Sequence, residues 1–368
     1  MRNRVKTPLQ SITEELKKKS KKSPSAIQLT KGEEMLLERV RSKTREHNLN
    51  NVTRTKAYLD FYLHHSEIQW AFLGHMVSRN GGWNMTDLKG EFLTRLMTKK
   101  DRNLFFHFLE RGNWLIFQDV YPQFLLYEES IRQRKPLFHL FTALNISTFM
   151  ETIWQQFWQN QDTYIHTIAM VINEQSYLEN RVVQNPQYQK EVINKFEFML
   201  QDWLSFNHIL FPYGKNQLSG QTLHQFESLH ERILLGKRLY TILFKNKEIH
   251  QQVLEWAKST PHTGSRKDYW PNIFNNVNEG MPGFPYQLRL KTCQLRKGAR
   301  KIYSPTLENA WKNVSQDVAE KGDWFEDWQV VDYLTEDDEM IDGEIKYEYC
   351  KTLERLELAT LAKKAITF

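Results

Sequence analysis

Residues 58–80 read YLDFYLHHSEIQWAFLGHMVSRN, and apolar side chains cover this stretch on almost every side. A helix without a polar face offers nothing to water, so it belongs inside a body built around it. The chain of 368 residues can supply that body, because its 11 Trp and 22 Phe bury large areas. Glycine is sparse at 15 residues, and the flanking segments repeat apolar residues at helical spacing. In NISTFMETIWQQFWQNQ, Ser147 suits an N-cap, and Phe149, Ile153 and Phe157 form a stripe widened by Met150, Trp154 and Trp158. DTYIHTIAMVINEQSYLENRVVQNP continues the pattern until Asn185-Pro186, YQKEVINKFEFMLQDWLSFNHILFP reads as a further helix ending at Pro212, and HQFESLHERILLGKRLYTILF as another.

The expected fold is therefore all-α. A basic flexible tail occupies 1–31 and one large helical body 32–260. Residues 261–345 form an irregular Pro/Gly-rich cap, and 346–368 a C-terminal helix packing back on the body. Within the cap one helix is expected, with Ser304 as N-cap and Pro305 at its first position.

The net charge of +6 belongs to the tail. Residues 1–31 carry nine basic and two acidic side chains, which leaves 41 basic against 42 acidic in the rest. The body therefore has no global attraction for nucleic acid, and weak polyanion binding is confined to the tail. Two cysteines, Cys293 and Cys350, make no disulfide framework and no CxxC motif, so reduced thiols and a cytoplasmic location are expected. No run of about 18 apolar residues is present to span a membrane.

The apolar segment ends in SRNGGWNMTDL, and this junction is the leading candidate site. His64, Ile68, Ala71, His75 and Arg79 fall on one face by three- and four-residue steps. Gly81-Gly82 reads as the end of the helix, with Asn84 or Thr86 capping the next one. On this reading the segment is a helix–turn–helix corner in which Arg79 and Asn80 tie loops together. The functional alternative is a pocket where His75, Arg79, Asn80, Trp83 and Arg266 converge. There the arginines hold an anion and Trp83 stacks on a planar ligand. A DNA-reading corner is disfavoured, because Asp87 and Glu91 repel phosphate.

The remaining motifs carry less. PHTGSRKDYWP places Arg266-Lys267 after a Gly-Ser turn without the spacing of a phosphate-binding loop. Glu227 and His230 have the ExxH spacing of carboxylate-bridged bundles but lack a second copy, and Asp60–His64 and Asp162–His166 fit structural pairs as well as ligands. No metal or cofactor is expected. There is no GxSxG elbow, and no diagnostic catalytic constellation marks an enzyme. The basic strip around Cys293, residues 289–301, is expected to dock on the acidic stretch GDWFEDWQVVDYLTEDDE.

The strings GHMVSRNGGWNMTDL, LIFQDVYPQFLLYE, PHTGSRKDYWP and KIYSPTLENAW resemble the YppC-like proteins of Bacillus-type bacteria, a family of unknown function. The resemblance covers most of the chain after the tail. It implies a cytosolic bacterial protein with a single family-wide body, and it transfers no catalytic residue. The functional expectation is a helical protein binding a small anionic or planar ligand at the Arg/His/Trp corner. A protein–protein interaction module, and weak nucleic-acid binding through the tail, are the alternatives.

Overall fold

The computed structural model describes residues 7–21, 28–190, 208–279, 286–335 and 341–366. The protein is predominantly helical. Ten principal helices are α1 (Pro8–Lys19), α2 (Lys31–His47), α3 (Asn51–His64), α4 (Gln69–Asp87), α5 (Lys99–Gln133), α6 (Thr148–Asn160), α7 (Thr163–Leu178), α8 (Leu229–Tyr240), α9 (Lys247–Ser259) and α10 (Lys346–Ile366). No helix among the described residues is long and apolar enough to cross a membrane.

The long apolar run is two helices, not one. Asp60–His64 closes α3, and His65–Ile68 turns the chain into α4. The two then lie antiparallel, with Tyr62 stacked on Phe72, Tyr58 edge-on to Trp70, and Thr55 hydrogen-bonded to Ser78. Across this pair runs α5, which 35 residues make roughly 50 Å long. Its Phe117 and Phe124 pack on Tyr58, and Phe124 also packs on Phe61 and Trp70. Thr98 caps its first turn by accepting from the Asp101 backbone N–H. Helices α7 and α8 close the far side, where Gly236 brings α8 so near α7 that an added Cβ would lie 2.4 Å from Val171 Cγ1.

Within the segment read as a basic tail, Pro8–Lys19 is a helix with a full capping box at Thr7 and Gln10. It lays Ile12 and Leu16, both fully buried, against the body, and Gln156 of α6 donates to Ser11 Oγ.

Four expectations about local structure are corrected. First, α4 does not stop at Gly81-Gly82 but continues to Asp87, so no helix–turn–helix corner exists there, and Asn84 and Thr86 are helical rather than caps. Gly82 is small for a packing reason. A Cβ on it would lie 2.4 Å from Asn51 Oδ1 and 2.6 Å from the His262 ring, which are themselves joined by a 2.7 Å hydrogen bond.

Second, the helix expected to run to Pro212 ends in a strand instead: β1 (His208–Tyr213) pairs antiparallel with β2 (Gln217–Thr222). Residues 191–207 of that expected helix lie outside the described residues. The hairpin signal was present in Gly214 and Asn216, which both adopt positive φ.

Third, the helix expected from Ser304 shrinks to Leu307–Ala310. Ser304 is buried instead, accepting from the Arg266 backbone N–H through its hydroxyl and from Ser265 through its carbonyl. Trp311 then leaves helical geometry to stack face to face on Phe106 at 3.9 Å and donate to Met85 O.

Fourth, Cys293 and Cys350 form a disulfide rather than two free thiols. Cys293 sits at the tip of a hairpin formed by β3 (Leu290–Lys291) and β4 (Gln294–Leu295), and Cys350 lies in the first turns of α10. Their separation of 57 residues says nothing about proximity, but the fold brings their Cα atoms to 5.1 Å.

The hairpin also redirects the basic strip. Arg289 pairs with Glu91 at 2.6 Å, and the backbone N–H groups of Arg289 and Leu290 donate to Glu357 on α10. The strip thus docks on α10 and Glu91. The acidic stretch contacts other elements, with Asp323 accepting from Thr148 N; its residues 336–340 lie outside the described set.

The two adjacent glycines should respond oppositely to one methyl group. Gly81→Ala meets only ordinary contacts, the nearest at 3.5 Å, and should stabilise by up to about 1 kcal/mol through helix propensity. Gly82→Ala should destabilise by about 1–3 kcal/mol by displacing Asn51 and His262. Urea denaturation of both variants checks the contrast.

Candidate functional site

Helix α4 is buried on both flanks, and the flanks differ. On one, Trp70, Leu73, Gly74, Val77, Gly81 and Asn84 recur at three- and four-residue steps and face α5, α7 and α8. Gly74 and Gly81 add no side-chain volume there, and a pocket of ≈ 230 Å³ remains between the helices. On the other flank, Arg79 and Trp83 point into the 260–270 segment, where side chains fill the space.

The polar groups of the pocket come from five elements. From α3, the buried Arg54 donates to Glu110 of α5 at 2.6 Å and to Asn48 Oδ1 at 3.1 Å. From α8, Arg232 donates to Gln175, to Phe226 O and to Glu179. Each arginine thus carries its own carboxylate partner, as a buried charge requires. Ser78 Oγ accepts from Asn51 Nδ2 at 3.1 Å.

Glu174 on α7 differs from these acids. It accepts from Gln175 Nε2 at 3.0 Å and from the Trp70 indole, and no ion pair joins it to any cation among the described residues. Its side chain is half-buried because one side faces the pocket. Burial pushes its carboxyl up to about 7, against the Trp70 hydrogen bond and the charge of Arg232.

The five residues expected to converge are placed as follows. Asn80 lines the pocket, yet its amide is occupied: it accepts from Leu210 N at 3.0 Å and donates to Leu210 O at 3.1 Å, pairing with the edge of β1 as another strand would. His75 is buried, donating from Nδ1 to Thr55 O at 2.8 Å, and burial followed by the charge of Arg79 lowers it to about 3. It is therefore neutral.

Arg79 stacks on Trp256 at 4.3 Å and donates to Thr260 O at 2.7 Å, at the end of α9. Arg266 lies over Trp83 at 4.1 Å, pairs with Asp87 and donates to Tyr349 Oη of α10. Asp87 is raised to about 6 by burial, with Arg266 pulling the other way. Tyr269 stands between the two arginines, edge-on to Trp83 and 5.9 Å from Arg79.

Arg79, Trp83 and Arg266 thus share one aromatic column, with Trp83 stacking on the protein's own guanidinium. The space left beside Arg266 is ≈ 10 Å³, about one water. Asn80 and the pocket lie on the opposite flank of α4.

The sequence did carry a signal for the pocket residues. Arg54 and Glu174 are charges set on otherwise apolar stripes, and Val171, Glu174 and Gln175 share one face of α7. Their partners lie 56 or more residues away for Arg54–Glu110 and Arg232–Gln175, so which charge was neutralised was not readable.

Several of the candidate metal ligands have other partners, and His230 bonds to the Tyr333 hydroxyl at 3.0 Å. Asp60 pairs with Lys56 and offers His64 only its backbone carbonyl, Asp162 caps α7, and His166 lies within an aromatic cage beside Trp154 and Phe157. Among the described residues no group of three His, Cys, Asp or Glu side chains could hold a metal ion.

Residues 46–351 match the family described as a protein of unknown function, DUF2515. The chain belongs to this family. It is 42% identical over 233 residues to the uncharacterized protein YppC of Bacillus subtilis (strain 168), covering 63% of this chain and 72% of that protein. The resemblance read from the sequence is thereby shown. No solved structure matches. The match spans every pocket residue described above, so the pocket lies within the family's shared region.

Both arginines of the aromatic column should prove structural. Arg266→Ala leaves Asp87 buried and alone, and should cost about 3–5 kcal/mol. Arg79→Ala loses a ring stack and a hydrogen bond to a carbonyl, about 2–3 kcal/mol together. Denaturant midpoints decide: a loss under about 1 kcal/mol at either position would reject the structural role.

Proposed function

We propose that this protein binds a small polar molecule in the pocket enclosed by α3, α4, α5, α7 and α8. The observation that carries this reading is the pocket itself: ≈ 230 Å³ in the middle of the helical body, walled by glycines and rimmed by polar side chains, one of them a carboxyl that forms no ion pair among the described residues. An engineered apolar cavity of about 150 Å³ takes benzene, so this one suits a molecule on the order of nine non-hydrogen atoms. Helix bundles place ligand sites between facing helices in this way.

Of the corner residues expected from the sequence, this reading keeps Asn80 as wall. It gives His75, Arg79, Trp83 and Arg266 the task of fixing α4 in position. Nothing in the pocket arranges a nucleophile and base, so binding rather than turnover is the reading. A cytoplasmic location belongs to the same proposal. There the Cys293–Cys350 bridge forms only under oxidising conditions, since that compartment keeps thiols reduced.

The full-length protein, isolated from its native host, should show a reproducible excess mass under native ionisation. Gly81→Leu, which projects a side chain into the pocket, should lose that mass while far-UV circular dichroism stays unchanged. A bare mass for the unmodified protein, or an adduct that survives Gly81→Leu, would reject the pocket as the site.

A further inference from the structure

The charge balance of the pocket narrows the class of ligand. Two arginines and one carboxylate line it, and two further carboxylates pair with the arginines. Arg54 is matched by Glu110 and Arg232 by Glu179. Each pair is closed by direct hydrogen bonds, and Asn48, Gln175 and Phe226 O take further guanidinium donors. An entering anion would have to break one of these pairs, leaving a carboxylate buried without a partner. Glu174 remains as the carboxylate that forms no ion pair among the described residues, although the charge of Arg232 acts on it. Beside it Tyr58 and Trp70 stand edge to face at 5.4 Å and line the same space. A carboxylate flanked by aromatic rings is the surrounding that favours an organic cation, through Coulomb attraction together with the ring quadrupoles.

We propose that the pocket takes a small organic amine, bound through its ammonium group to Glu174 and through its carbon skeleton to Tyr58 and Trp70. This rests on the reading of the pocket as a ligand site and replaces the anion expected from the sequence. An ammonium donates to the carboxylate oxygens left over by Gln175 and Trp70, and so supplies the ion pair that Glu174 lacks among the described residues. Gly81 leaves room for the skeleton, while Gly74 admits the Trp70 ring against α4.

Protonation of Glu174 couples binding to pH. Trp70 on α4, Gln175 beside it and Arg232 on α8 act on its carboxyl; Arg54 and Tyr58 on α3 line the same pocket, with Glu110 of α5 paired to Arg54 and Glu179 to Arg232. Asp119 of α5 acts on Tyr58 from farther out. Of these, Arg232 favours the charged carboxylate, and burial opposes it more strongly. The carboxyl, raised to about 7, is mostly neutral at pH 6 and mostly ionised at pH 8. An aliphatic amine stays protonated across that range, so its binding tightens as pH rises, by roughly tenfold between pH 6 and 8.

The probes are 2-phenylethylamine, agmatine and, as the anionic counterpart, 3-phenylpropionate, titrated calorimetrically into the full-length protein at pH 6, 7 and 8. At least one amine should bind, more tightly at pH 8, while the carboxylate does not. Glu174→Gln should weaken the amine at least tenfold and flatten its pH profile. If that variant misfolds, the profile of the unmodified protein carries the test alone.

Preference for the carboxylate, or amine binding indifferent to pH, overturns the amine assignment and leaves the pocket reading standing. If no probe binds at millimolar concentration, the mass that Gly81→Leu releases from the host-isolated protein decides. A basic molecule sustains the assignment, a non-basic one overturns it, and the absence of any released mass overturns both readings.

Discussion

A helix buried on every side must settle all its polar side chains inside the protein, and this condition on α4 governs the rest of the structure. Ser78, Arg79, Asn80, Asn84, Thr86 and Asp87 all lie in the interior. Water cannot serve most of them, and an unmade hydrogen bond in the core costs about 1–3 kcal/mol. Several of the partners come from distant segments. Asn51 reaches Ser78 from α3, Leu210 of β1 meets Asn80, Gly264 O accepts from Thr86, and Arg266 pairs with Asp87. The irregular 260–270 segment and the β1–β2 hairpin are therefore held in place by the polar residues of one helix. The disulfide and the Glu357 contacts then fasten α10 against the same assembly.

The two flanks of α4 divide the labour. On the flank of Arg79 and Trp83, aromatic rings and guanidinium groups alternate and leave almost no space. On the flank of Gly74 and Gly81, small residues leave a pocket. The same helix thus gains rigidity from one side and accommodates space on the other. A site supported in this way resists collapse, because α4 cannot shift toward the pocket without unstacking Arg79 from Trp256 and Arg266 from Trp83.

Where sequence reasoning failed, it failed for identifiable reasons. Gly81-Gly82 has the composition of a helix end, but the cost of about 1 kcal/mol for a helical glycine is smaller than the worth of the packing that Gly82 permits around Asn51 and His262. Ser304-Pro305 has the composition of a helix start, but Ser304 is drawn into the Arg266 backbone and Trp311 into a stack on Phe106. Local propensity is worth tenths of a kcal/mol per residue, and a buried tertiary contact outweighs it. The same reasoning placed Arg79, Trp83 and Arg266 near one another, because an arginine in an apolar setting needs company. It could not say which rings and carbonyls would supply that company.

By itself the sequence determined the helical class, the deep burial of the chain from Trp70 onward, the family, and the burial of Arg79 among apolar neighbours. Periodicity and composition are local quantities, and these properties follow from them. Only the tertiary structure decided which buried charges cancel. Arg54 meets Glu110 across 56 residues and Arg266 meets Asp87 across 179, while Glu174 meets no cation among the described residues. Pairing at such distances depends on how helices cross, which no stretch of sequence encodes alone. That pairing also separates the packed corner from the pocket beside Glu174.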